Sequence, residues 1–128
     1  MRWTKWLFYI AGTYGLLVIP PLYLKERALA QAGLPGVTYP EFLYGFIGVG
    51  LAWQIVFIII GTDPLRYRPV ILVAALMEKL GFGIPAVLLF QAGRLSREML
   101  AAGCFNLLMA VLFFIAWIQL GKARQTAV

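Results

Sequence analysis

The chain has 128 residues, of which 62% are hydrophobic and 12% charged, and its mean hydropathy is +0.87. Soluble domains carry about a quarter charged residues, so this composition excludes an ordinary water-soluble fold and describes an integral membrane protein. The net charge of +6 would raise nucleic acid as a partner if the cations clustered on one face, but they stand at the ends of apolar runs, which excludes it.

Four runs have the roughly 20 residues that a hydrocarbon crossing needs: 7–24, 42–61, 70–92 and 99–120. So little chain lies between them that residues 1–128 read as a single transmembrane domain. Arg2 and Lys5 precede the first run, and Ala28-Leu29-Ala30 imitates a cleavage site. A span is nevertheless expected over a secretory leader, because the apolar stretch is long and contains Pro20-Pro21. These prolines withdraw amides from the carbonyls of Leu16 and Leu17 and predict a kink. Residues 25–32 extend the helix until Gly33-Leu34-Pro35-Gly36 breaks it.

Thr38 and Glu41 have capping-box spacing, which predicts a second span starting near Phe42. Gly45, Gly48 and Ala52 give that span a small-residue face for helix packing, as Ala11 and Gly15 do on the first. Gly61 ends it, and Asp63-Pro64 opens a compact turn, since Pro69 disfavours helix at Arg68. In the third span Pro85, helped by Gly83, frees the Gly81 carbonyl and predicts a second kink. A turn at 93–97 follows, in which Ser96 caps the fourth span and Glu98 complements its dipole. Short turns make successive spans antiparallel, so the expected fold is an all-α, antiparallel four-helix membrane bundle with kinked first and third helices.

With the termini inside, Arg2, Lys5, Arg66, Arg68, Lys122 and Arg124 face the cytoplasm against Lys25, Arg27, Arg94 and Arg97 outside. This bias predicts a multi-pass protein with both termini cytoplasmic. Histidine is absent and Cys104 is the single cysteine. The common zinc and haem ligands, the commonest general base and any disulfide within one chain are thereby removed, so no metal, cofactor or catalytic set is expected.

Glu78 and Lys79 are the informative residues, because they stand near the middle of the third run. On insertion scales about twelve strongly apolar residues contribute roughly −4 to −7 kcal/mol, while the two charges cost about 5–7 kcal/mol. The balance is near zero, so this helix needs neighbours that offer polar groups. At 1.5 Å per residue Glu78 and Tyr14 lie about 13 Å from the inner border and Gln54 about 10 Å, which selects Tyr14 and Gln54, with Trp53 at a similar level, as walls of a polar site. Adjacent helical positions diverge by about 100°, so Glu78 and Lys79 are not expected to face each other. Ala74, Ala75, Gly81 and Pro85 share the Glu78 face, which makes Glu78 the expected interior group and Lys79 the one that reaches sideways. In the turn at 61–69, Arg66, Tyr67 and Arg68 are candidates for an anionic headgroup or acidic substrate, beside the plainer reading of a capped turn whose arginines set orientation.

From Trp53-Gln54 through Asp63-Pro64-x-Arg66-Tyr67-Arg68-Pro69 to Glu78-Lys79, the chain resembles small bacterial four-span inner-membrane proteins. That resemblance implies a bacterial inner membrane and a four-helix bundle and carries no activity, cofactor or substrate. A looser architectural likeness is to DoxX-type and sterol-isomerase-like bundles, which use acidic residues in a cavity; only Glu78 has a counterpart here. The reading that follows is a non-enzymatic bundle in contact with membrane lipid. Its polar pocket at Glu78 holds a lipophilic or cationic ligand, or it serves as an assembly partner of its own copies or of another membrane protein. A proton-coupled small transporter and a membrane enzyme acting on lipid or isoprenoid substrates remain open as alternatives.

Overall fold

A computed structural model describes residues 2–126. It is 85% helical, with a four-helix all-α fold. The chain runs through α1 (Arg2–Val18), a 3-10 turn (Pro20–Leu24), α2 (Lys25–Gln31), α3 (Pro40–Thr62), α4 (Arg68–Val73), a π turn (Ala74–Lys79), α5 (Leu80–Gln91) and α6 (Arg97–Thr126). Taken with their irregular turns, these elements make four helices long and apolar enough to cross a membrane: Arg2–Gln31, Pro40–Thr62, Arg68–Gln91 and Arg97–Gln125. They form two compact units, one of residues 2–62 and one of residues 63–126.

In the first unit α1 packs along α3. Gly12 and Gly15 let the backbones approach, and a Cβ at Gly12 would stand 2.7 Å from the Gln54 carbonyl oxygen. Phe8 meets Phe57 with centroids 6.3 Å apart, and the Tyr9 ring rests against Gly61. The expected small-residue contact of the first span is therefore present at Ala11 and Gly15, both buried. That of the second is not: Gly45, Gly48 and Ala52 are exposed, and the packed stripe of α3 is Ile47, Gly50, Gln54, Phe57 and Gly61. Both stripes contain small residues; α1 selects the one that also offers Ile47 and Phe57, whose burial contributes far more.

Pro20-Pro21 act as expected. The helix tightens into a 3-10 turn there and resumes as α2, with an overall bend of 15° in this first helix. It closes on Gly33 at φ +69, where the Leu34 amide bonds the Leu29 carbonyl and the Gly33 amide that of Ala30, a Schellman closure. The Thr38–Glu41 capping box is replaced: Pro40 takes the first helical position, and the Tyr39 carbonyl accepts from Phe42 and Leu43. Proline's fixed φ suits that place, so helix begins two residues before Phe42.

In the second unit α6 packs against α4, the π turn and α5. α5 and α6 approach closely at Gly83 and Gly103, where a Cβ on Gly83 would stand 2.6 Å from Leu107 and one on Gly103 2.5 Å from Ala86. Helix resumes at Arg68, ahead of the expected Val70, because Pro69 is accommodated in the first turn. Before it, Asp63 holds the connecting turn by accepting the Arg66 amide at 3.3 Å. Gly93 at φ +73 repeats the Schellman closure, with Arg94 bonded to Leu89 and Gly93 to Phe90. Ser96 caps α6 as expected, its hydroxyl accepting the Met99 amide and its carbonyl that of Leu100.

Large apolar side chains stand exposed on every long helix, among them Trp6, Leu17, Phe42, Met77 and Leu108. So much uncovered apolar surface is unfavourable in water and is what acyl chains cover in a bilayer. The molecule has the form of a multi-pass membrane protein.

Candidate functional site

The irregularity of the third helix lies at the charges. Through Ala74–Lys79 the hydrogen bonds widen to the π pattern, and the Leu80 amide bonds the Ala75 carbonyl five residues back. Single π turns inside α-helices are frequent at functional sites. The cause here is legible in burial: Ile71, Ala75, Lys79 and Gly83 are buried at successive steps of four. On a straight α-helix such a stripe drifts by about 40° per step, and the wide turn absorbs that drift.

This overturns part of the expected geometry. A regular wheel puts Glu78, Gly81 and Pro85 on the packed face, whereas Gly81 and Pro85 are exposed and Lys79, Gly83 and Ala86 take that place. Lys79 is the interior group, 7% exposed, with its ammonium 5.9 Å from the centre of the Phe113 ring. Glu78 lies at the edge of the same face. The two do meet: Lys79 Nζ stands 3.4 Å from Glu78 Oε2, with side-chain exposures of 9% and 17%. Both side chains are long enough to fold toward each other across one residue, so the divergence of adjacent positions does not keep the charges apart.

An acid and a base in contact at mid-span present no net charge to the hydrocarbon, which lowers the insertion cost that either would carry alone. Glu78 Oε2 is shut off from solvent and has no hydrogen-bond donor. This carboxylate thus has an electrostatic partner and an unfilled acceptor, in a helix segment of altered geometry.

The other expected wall residues belong to the first unit. Gln54 is 3% exposed; its Nε2 donates to the Gly50 carbonyl at 3.0 Å and its amide rests on Gly15. Trp53 tilts against Phe57 with centroids 6.1 Å apart. Tyr14 is about half exposed, at 48%.

At the border of the second unit the structure separates three neighbours. Arg68 is drawn inward, with Nε donating to the Trp117 carbonyl at 2.8 Å and the guanidinium 4.2 Å over the Trp117 ring. Arg66 stays exposed, 5.6 Å from the Tyr67 ring centre. A concavity of about 340 Å³ is lined by Asp63, Leu65, Arg66 and Arg124. Sequence reasoning did not find Phe113 as the neighbour of Lys79, Trp117 as the anchor of Arg68, or Arg124 as the companion of Arg66. Trp117 stands near the end of the fourth apolar run, where an aromatic suits a membrane border, but pairing it with Arg68 needs the packing of α4 on α6.

No protein family, curated protein or solved structure matches this chain.

Proposed function

We propose that the protein is a non-enzymatic membrane-embedded helical bundle whose polar centre, Glu78 with Lys79, receives a lipophilic ligand bearing a cationic, hydrogen-bond-donating head. The observation that carries this reading is the Glu78 Oε2 acceptor, buried without a donor beside a cation at 3.4 Å. Such an atom gains from a well-directed N–H donor. A long-chain primary ammonium fits, with its tail among the exposed apolar side chains and its head on the carboxylate. In reconstituted protein, dodecylammonium binding is expected to fall about tenfold or more in Glu78→Gln. Lys79→Met is expected to strengthen binding by removing the resident cation. Equal affinity of folded Glu78→Gln and wild type would overturn the reading.

A second reading, self-association, is favoured by the open face of α3, where Gly45 and Gly48 face open space. Small residues left uncovered in a membrane helix are the usual seat of helix–helix contact. Under this reading Gly48→Leu abolishes crosslinked oligomers while Glu78→Gln leaves them intact; under the first the two results reverse in a ligand-binding assay.

A further inference from the structure

We propose that Arg66 and Arg124 form a phosphate-binding site at the border of the second unit, independent of the Glu78 centre. The site is built by the anchoring of Arg68. Its guanidinium is fixed to Trp117, and a Cβ at Gly121 would stand 2.9 Å from its Cζ, so α4 is held against one stripe of α6. Residues four and seven positions apart share a helix face, so Trp117, Gly121 and Arg124 lie on that same stripe. Arg124 is about 10 Å further along it than Trp117. The turn that precedes Arg68 contributes Asp63, Leu65 and Arg66, and α6 contributes Arg124, to an open, shallow concavity of about 340 Å³.

The chemistry of this lining selects its occupant. Two guanidinium forks on separate elements are suited to the several oxygens of one phosphate. The Asp63 carboxylate opposes an anion, but its Oδ1 is engaged by the Arg66 amide, and the two arginines leave the lining positive. Leu65 supplies an apolar wall. At the end of two membrane helices the phosphate comes either from a lipid headgroup or from solution, and the two arginines serve both.

The test is native mass spectrometry of the full chain in detergent, titrated with phosphatidylglycerol, with phosphatidylcholine and with inorganic phosphate. Arg66→Gln with Arg124→Gln is expected to weaken phosphatidylglycerol binding about tenfold or more, while Arg94→Gln, at the far end of the third helix, leaves it unchanged. Asp63→Asn keeps the Oδ1 acceptor of the turn and removes the opposing charge, so it is expected to tighten binding severalfold. Displacement of the lipid by millimolar inorganic phosphate supports the site with free phosphate as an occupant; retention of the lipid supports it with the headgroup as occupant. Binding by the double variant within twofold of wild type overturns the proposal, as does an equal loss in Arg94→Gln or a weakening in Asp63→Asn. Circular dichroism of each variant shows that the fold is retained.

Discussion

Each member of the Glu78–Lys79 pair is tolerated in a hydrophobic helix because of the other. Removing Lys79 alone takes from the carboxylate its cation at 3.4 Å, and removing Glu78 alone takes that carboxylate from an ammonium that stands 5.9 Å from the centre of the Phe113 ring. Breaking one partner of a buried pair costs about 3–5 kcal/mol, whereas replacing both by apolar groups of similar volume is often neutral. The expectation for Lys79→Met or Glu78→Leu is a loss of that order, and the double variant should recover most of it. Equilibrium unfolding in mixed micelles, read as a double-mutant cycle, measures the coupling. Glycine contrasts work on the same scale. A side chain at Gly15 collides with Gln54, and Gly15→Val should destabilise by about 1–3 kcal/mol. Gly81 faces open space, and Gly81→Ala should be neutral or gain up to about 1 kcal/mol of helix propensity. That pair of results also checks which face of the third helix is packed.

At the scale of elements, the π turn behaves as one residue inserted between two α-helical stretches. Deleting exposed Met77 should convert Ala74–Lys79 to regular helix while Gly83 and Ala86 keep their seats on Gly103, so the variant should remain folded. Deleting Leu108 from regular α6 rotates Gly103 relative to Phe113 by about 100° and should abolish folding. Circular dichroism and the yield of monodisperse protein distinguish the two. Helix ends marked by chemistry were legible in the sequence: the breaker at Gly33 and the Ser96 cap both hold. Gly33→Ala or Gly93→Ala forces Cβ into left-handed backbone and should cost about 1–2 kcal/mol, visible as faster amide exchange in the last turn of α2 or α5. The π turn was not legible, because a helical wheel assumes 3.6 residues per turn. Every position assigned past Ala75 inherited that assumption, which is why Gly81 and Pro85 were expected where Gly83 and Ala86 stand. The Thr38–Glu41 box failed for a related reason: two valid start signals competed, and Pro40 took the nearer place.

For the whole molecule, four helices are long and apolar enough to cross a membrane, and a chain that crosses with each in turn is predicted to put the connections at 32–39 and 93–96 on one side and the turn at 63–67 on the other. Short epitopes inserted at 34–38 and at 64–66 should therefore be reached by antibody from opposite faces of the membrane. The excess of arginine and lysine predicts that the 64–66 epitope is exposed in inverted vesicles and the other in spheroplasts. Run lengths and hydropathy made the four apolar helices readable from the sequence. The candidate site was readable only to its centre: Glu78 and Lys79 announce themselves by polarity, but Phe113 does not, since one phenylalanine among nine has nothing local to mark it as the neighbour of an ammonium. Cys104 is the one thiol in the chain and is exposed, next to a glycine packed against Ala86. A nitroxide attached there needs no engineered background, so the dipolar distance between labels on separate copies reports directly whether, and how closely, these proteins gather in a bilayer.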